Sequence, residues 1–209
     1  MPELAAAVLA TARAMNSQGI NRGSAGNVSV RSGAGFIITP TGLAYEESTA
    51  ADMVAMAMDG SPSGARKPSS EWRFHRDIYA ARPEAGAIIH THAPFATSLA
   101  CMELDVPPFH YMIARFGGAD LRCARYATFG SQALSDAVLE ALRDRSACLM
   151  AHHGMVVFGG GLEQALALAV ELEGLCEQFW RVLQLGTPRL LPPEEMARVL
   201  EKFQSYGRQ

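Results

Sequence analysis

Leu4, Val8, Ala12 and Met15 recur at helical spacing, so the chain opens on an amphipathic helix. The turn-rich stretch Ser24-Ala25-Gly26-Asn27 follows. Val28-Ser29-Val30 then alternates as a strand does, and Ser32-Gly33-Ala34-Gly35 turns it into a second strand, Phe36-Ile37-Ile38, which makes a hairpin. Pro40-Thr41-Gly42 ends that strand in a tight turn. Met53 to Met58 alternates Met with Ala or Val and stops at Asp59-Gly60, the mark of a third strand, and Ser61 to Pro68 is a polar loop. From about Ser69 to Arg82 a helix carries Trp72, His75, Ile78 and Tyr79 on one face, with Ser69 or Ser70 able to cap it and Pro83 to stop it.

Ala87-Ile88-Ile89 is a short buried strand running into His90-Thr91-His92, and Pro94 starts another helix. Two loop-bounded segments lie around His110 to Ala114 and Leu121 to Tyr126. Ser131 to Arg143 is an amphipathic helix. Ala147 to Ala151 is a strand, and Met155 to Phe158 continues past the bend His152-His153-Gly154. After Gly159-Gly160-Gly161 a long helix spans Leu162 to about Leu185. The last helix starts at Pro193-Glu194-Glu195, with proline and acids where the helix dipole favours them, and ends near Tyr206-Gly207. Helices interleaved with strands and hairpins imply an α/β fold with a mixed or antiparallel sheet. No shift in composition marks a boundary, so residues 1–209 read as a single domain.

Of the 209 residues, 49% are hydrophobic and 19% charged, an ordinary globular mixture long enough to bury a core. The net charge of −3 excludes a non-specific nucleic-acid binder, because nothing supplies the basic field. The longest apolar run, Ala147 to Phe158, is interrupted by His152-His153-Gly154 and falls short of the ~20 residues a membrane span needs. Met1-Pro2-Glu3-Leu4-Ala5 has an acid where a signal peptide carries basic residues. Cys101, Cys123, Cys148 and Cys176 form no Cys-x-x-Cys pair and read as buried, reduced thiols, which implies the cytoplasm.

The histidines change the picture. In an extended chain residues i and i+2 face one side, so His90 and His92 aim two imidazoles at one point, and His152-His153-Gly154 follows another apolar strand and can bring a third. Imidazole is a common zinc ligand, and three protein ligands leave a position open for substrate. Glu71 and His75 stand at i and i+4 on one helix face. On spacing alone Glu71 reads equally as a first-turn acid favoured by the dipole, and His75 as a packed core residue in preference to a partner of the site. Gly26-Asn27, Thr41-Gly42 and Ser69-Ser70 each resemble an anion cradle, the last at a helix N-terminus; each alone is also a common turn or cap. No Walker loop or dinucleotide fingerprint is present.

Taken together, Gly26-Asn27-Val28-Ser29-Val30-Arg31, Ile38-Thr39-Pro40-Thr41-Gly42, Ser69-Ser70-Glu71-Trp72-Arg73-Phe74-His75, His90-Thr91-His92 and His152-His153-Gly154 resemble the class II aldolase/adducin family. Phe109 to Ala114, Tyr126 to Gly130 and Glu201 to Gly207 point to its sugar-phosphate aldolase branch. The likeness runs in order over nearly the whole chain. It implies a central, mainly antiparallel sheet with helices on both sides, assembled as a homotetramer with active sites at subunit interfaces. It implies Zn²⁺, or another divalent metal, on His90, His92 and His153, with Glu71 as catalytic acid/base and as a fourth ligand when substrate is absent. It places a substrate phosphate on Gly26, Asn27, Thr41, Gly42, Ser69 and Ser70. It makes Tyr111 a proton donor on the aldehyde side, with Phe129 and Tyr206 orienting that end, and lets Tyr111 and Tyr206 reach a neighbouring subunit.

The implied reaction is cleavage of a 1-phosphoketose, L-fuculose 1-phosphate or a 5-deoxy- or 5-methylthio-ribulose 1-phosphate, into dihydroxyacetone phosphate and an aldehyde. A retro-aldol step leaves an enediolate, whose charge a Lewis acid can hold. The only lysines, Lys67 and Lys202, lie in polar surroundings, which disfavours a Schiff-base aldolase. Arg115-Phe116 replaces the small residues of the branch and bears on which sugar is taken. Two other readings share the scaffold. One is a sugar-phosphate 4-epimerase, which would carry Asp in place of Glu71, and the other a methylthioribulose-phosphate dehydratase. A non-catalytic adducin-like module would lack the histidines and glutamate that this chain keeps.

Overall fold

The computed structural model describes residues 2–205. Eight strands form one sheet: β1 (Asn27–Ser32), β2 (Gly35–Ile38), β3 (Val54–Ala57), β4 (Pro62–Ser63), β5 (Ala87–Thr91), β6 (Cys123–Ala124), β7 (Ala147–Met150) and β8 (Gly154–Gly159). Their order is β4-β3-β2-β1-β5-β8-β7-β6, antiparallel throughout except for β6 against β7. Six helices accompany it: α1 (Pro2–Ser17), α2 (Trp72–Ala81), α3 (Pro94–Cys101), α4 (Gln132–Ala141), α5 (Leu162–Leu185) and α6 (Pro193–Ser205).

The strand period of two sorts side chains into two cores. Val28, Val30, Ile89, Leu149, Met155 and Val157 face one way and pack with α1, α3 and α5. Ile38, Ile88, Cys148, Met150, Val156 and Phe158 face the other way and pack with α2 and α4. Central strands that are apolar on both faces therefore form the middle layer of three. Residues 27, 29 and 31 share the second face, so Asn27, Ser29 and Arg31 point toward α2, as do His90 and the positions in register with it.

Several elements differ from the sequence expectation. The helix expected from Ser69 begins at Trp72, with Glu71 at its N-cap and no side-chain cap bond. Ser69 instead accepts the Glu71 N–H with its Oγ at 3.3 Å and receives the Trp72 N–H on its carbonyl. The loop after β3 contains the short β4, and the segment around His110 is a 3-10 helix, Tyr111–Phe116, capped by the His110 ring, which accepts the Met112 N–H. All four cysteines are free, but only Cys148 and Cys176 are buried; Cys123 is half-buried and Cys101 exposed. Among the described residues no helix is long and apolar enough to cross a membrane.

Helix α3, directly after the His-x-His strand, has Ala93 at its N-cap and no side-chain cap of its own. Glu173 of α5 supplies one: its two carboxylate oxygens accept the N–H groups of Phe95 (2.8 Å) and Ala96 (2.9 Å). The end of β5, and with it His92, is thereby fastened to the longest helix.

Candidate active site

His90 lies near the end of β5, His92 one residue beyond it, and His153 in the turn between β7 and β8. Their ligand nitrogens lie within 4.8 Å of one another, and the three rings meet edge to face with centroids 4.8–5.0 Å apart. The third imidazole is that of His153, because His152 takes a left-handed backbone (φ 54°) and turns outward to Glu103, 3.1 Å away. Gly154 follows, and a Cβ there would collide with the Thr91 carbonyl and press on the His92 ring. Gly26 is needed for a similar reason, since a Cβ would run into the His90 carbonyl. Glycine at both places lets the backbones close around the histidines.

Glu71 completes the cluster. Its Oε2 lies 3.1 Å from His90 Nε2 and its Oε1 3.1 Å from His153 Nε2. Burial disfavours its charge, but the facing imidazoles outweigh burial and hold the carboxyl well below the usual carboxylate range. His90, fully buried, is disfavoured as a cation by that burial and favoured by Glu71, with a net upward shift. Burial and the other two imidazoles push His92 down to about 4.

These residues fit a cation. His90 Nδ1 lies 2.8 Å from the Met155 carbonyl, which can only accept, so Nδ1 carries the proton and the lone pair of the neutral ring is on Nε2. That lone pair faces a carboxylate oxygen. His90 Nε2 and Glu71 Oε1 are buried without an aligned hydrogen-bond partner in the protein. His90 Nε2 converges on Glu71 Oε2 and His153 Nε2 on Glu71 Oε1; electron-rich pairs of this kind are destabilising unless a proton or a metal lies between them, and the donor set of three imidazoles and a carboxylate suits a divalent ion.

The second constellation meets the first in one cleft of about 340 Å³, lined by Gly26, Asn27, Thr41, Gly42, Ser69 and Ser70 together with Glu71, His92 and His153. Backbone bonds from Ser69 N–H to the Thr39 carbonyl (3.0 Å) and from Thr41 N–H to the Lys67 carbonyl (3.1 Å) tie the two turns together. Ser69 Oγ accepts from Asn27 Nδ2 (3.0 Å) and from the Glu71 N–H, which leaves its own proton for a ligand in the cleft. Phe129 lines the same cleft. Tyr126 and His152, which the sequence reading did not single out, stand at its mouth, their rings 5.9 Å apart.

Tyr111 is not in this cleft. It lines a separate groove with Arg115 and Phe203, between the 3-10 helix and α6. Arg115 faces outward and pairs with Glu171 at 3.2 Å, while Phe116 is buried in the core, so neither borders the cleft of its own chain. Tyr206 lies outside the described residues.

A layered α/β fold that gathers three histidines and a carboxylate beside a hydroxyl- and glycine-lined cradle defines a metal-binding enzyme for small anionic substrates. The family model described as "Class II Aldolase and Adducin N-terminal domain" matches residues 6–180. Among curated proteins, a 5-methylthioribulose-1-phosphate/5-deoxyribulose-1-phosphate aldolase from Rhodospirillum rubrum is 54% identical, with 94% of this chain and 89% of that protein covered. An L-fuculose phosphate aldolase from Escherichia coli is 44% identical over 98% of this chain and 96% of that protein. A solved L-fuculose 1-phosphate aldolase superposes with a TM-score of 0.93 at 34% identity, covering 97% of this chain and 96% of that one. The chain belongs to the class II aldolase and adducin family, and within it is a metal-dependent aldolase, an enzyme of the lyase class.

Proposed function

We propose that this chain, as one domain, cleaves a 1-phosphoketose into dihydroxyacetone phosphate and an aldehyde. The observation that carries the reading is the single cleft in which the histidine–glutamate cluster adjoins the cradle of Gly26, Asn27, Thr41, Gly42, Ser69 and Ser70. In this reading the cradle grips the phosphate and so sets the carbonyl end of the substrate beside Glu71. Zn²⁺, the ion best suited to His90, His92 and His153, supplies the Lewis acidity that stabilises charge developing on the substrate oxygens. Glu71 is a fourth ligand when substrate is absent. With substrate bound it moves the proton at the reacting carbon, a role that suits an ionised carboxylate held away from solvent.

Tyr111 acts from a neighbouring subunit. It is half exposed and outside its own cleft, so a homotetramer with sites at its interfaces gives it a role that a lone chain cannot. Tyr206 is assigned to the same end, and Phe129 with it. Four free thiols suit a reducing cytoplasm.

Among possible sugars, 5-deoxy- and 5-methylthio-ribulose 1-phosphate rank above L-fuculose 1-phosphate. The relative named for the former two is the more similar, and Tyr126 and Phe129 offer exposed aromatic surface to an apolar or thioether tail. A panel of these three and ribulose 1-phosphate, assayed with added Zn²⁺ for release of dihydroxyacetone phosphate, tests this. The expected result is release from all three deoxy sugars, with the highest kcat/KM for the ribulose derivatives bearing an apolar tail. A product that is an epimer or a dehydrated sugar, with no dihydroxyacetone phosphate, would refute it.

The cradle has its own test. Replacing Ser69 and Ser70 together by Ala removes hydroxyl donors to a charged group, each worth about 1.5–3 kcal/mol. KM for the phosphorylated substrate is expected to rise at least ~10-fold, since 1.4 kcal/mol is a factor of ten. An unchanged KM would remove both serines from the phosphate site.

A further inference from the structure

Glu71, His75 and Tyr79 lie four residues apart along α2 and its N-cap, and Asn27, Ser29 and Arg31 lie two apart along β1. Four helical residues rise ~6 Å and two strand residues ~6.6 Å, so the two stripes keep step and mesh. The contacts follow that register. Asn27 Nδ2 meets Glu71 Oε2 at 3.0 Å, His75 Nε2 meets Asn27 Oδ1, and His75 Nδ1 meets Ser29 Oγ at 2.7 Å. Ser29 Oγ meets the Tyr79 hydroxyl at 2.8 Å, and Arg31 lies over the Tyr79 ring, 4.8 Å from its centre. Glu71, Asn27, Ser29, His75 and Tyr79 are all buried.

One group sets the direction of every bond in this relay. The Asn27 amide lies with Nδ2 3.0 Å from both Ser69 Oγ and Glu71 Oε2, so it donates to those two oxygens and presents its carbonyl to His75. His75 must then carry its proton on Nε2 and accept at Nδ1. Ser29 donates to Nδ1 and so receives the Tyr79 proton. Without a donor at Nε2 the Asn27 amide could turn over, placing its carbonyl against the carboxylate.

We propose that His75 is a positioning residue: its Nε2–H locks the Asn27 amide in the one orientation that serves Glu71 and Ser69 together. Through that amide the acid/base carboxylate and the phosphate-side hydroxyl are held as one unit. Ser29 and Tyr79 act behind His75 by fixing its tautomer. The inference rests on Glu71 being the acid/base.

The first test is made on the unmodified protein, with and without Zn²⁺, by ¹⁵N-resolved imidazole NMR. His75 is expected as the neutral Nε2–H tautomer in both states, and an Nδ1–H tautomer would overturn the proposal. The second compares His75→Gln, which keeps a donor near the Nε2 position, with His75→Leu, which does not. Loss of an outer partner of this kind costs ~10–100-fold. His75→Leu is expected to lose that much kcat at full metal content, and His75→Gln to recover most of it. Equal losses in the two folded variants, or native kcat in His75→Leu, would refute the positioning role. The tautomer is read on the native chain, so the test stands even if a variant fails to fold. If Glu71→Gln cleaved at the native rate, the acid/base reading would fail while the tautomer result was unaffected, so the two failures are told apart.

Discussion

Glu71→Gln is expected to retain its metal and lose most of its aldol cleavage. The substitution keeps shape and volume and leaves His90, His92 and His153 in place, so metal content by elemental analysis should remain near one per chain. What is lost is a group that can take and return a proton, and positioned acid/base groups contribute ~10²–10⁴-fold. A fall in kcat of that order, with KM changed far less, is the expected outcome. The geometry predicts a modest KM effect as well, because a neutral amide can turn its own NH₂ toward Asn27 and compete with the donor that Glu71 now accepts at 3.0 Å. A metal-loaded variant cleaving at the native rate would remove Glu71 from the chemistry, and the cluster would then be a metal site whose proton carrier lies elsewhere.

How much of this site was legible along the chain depends on the range over which each signal acts. His90 and His92 were legible because strand geometry alone aligns i and i+2. The choice of His153 over His152 was not decided by spacing; it depends on the left-handed backbone at His152, which turns one ring out to Glu103 and leaves the next facing Glu71. The burial of β5, β7 and β8 was legible in the apolar runs Ala87-Ile88-Ile89, Ala147 to Ala151 and Met155 to Phe158, whereas the assignment of each face required the helices to be in place. Spacing alone makes His75 a core residue, and it is fully buried, but its hydrogen-bond partners are polar side chains. A signal was present: polar residues at 27, 29 and 31 alternate with Val28 and Val30, and Glu71, His75 and Tyr79 share a helix stripe. Nothing local says that these two stripes face each other, because that follows from β1 pairing with β5 and α2 covering that face of the sheet. Tyr126 and His152 were missed at the cleft for the same reason: loops from distant parts of the chain meet there.

Removing the metal is expected to abolish cleavage and to make the fold acid-sensitive. Chelation should reduce activity to background, and added Zn²⁺ should restore it; activity that survives verified metal depletion would exclude the ion from the reaction. Stability should fall as well, because an ion that binds only the folded chain stabilises it by about 4 kcal/mol when present at 1,000 times its dissociation constant. In the metal-free protein the remaining pH dependence has a definite sign. His75, buried and facing the imidazole charge of His90, is pushed down to about 3, and His92 to about 4, so both are neutral in the fold and take up protons when it opens. Their contribution is complete above the ordinary histidine range near 6.5 and is lost as pH falls from there toward 3–4. His92 is exposed on its cleft side and solvent screens its share, so His75 dominates. Glu71, held below the carboxylate range, adds a loss of the same sign below about pH 4.5, whereas His90, shifted upward, contributes below 6.5 and loses that contribution as pH rises. The Tm of the metal-free protein is therefore expected to drop between pH 6.5 and 4, and His75→Gln, which cannot titrate, should flatten that slope. A metal-free Tm independent of pH across this range would mean that burial does not hold His75 neutral.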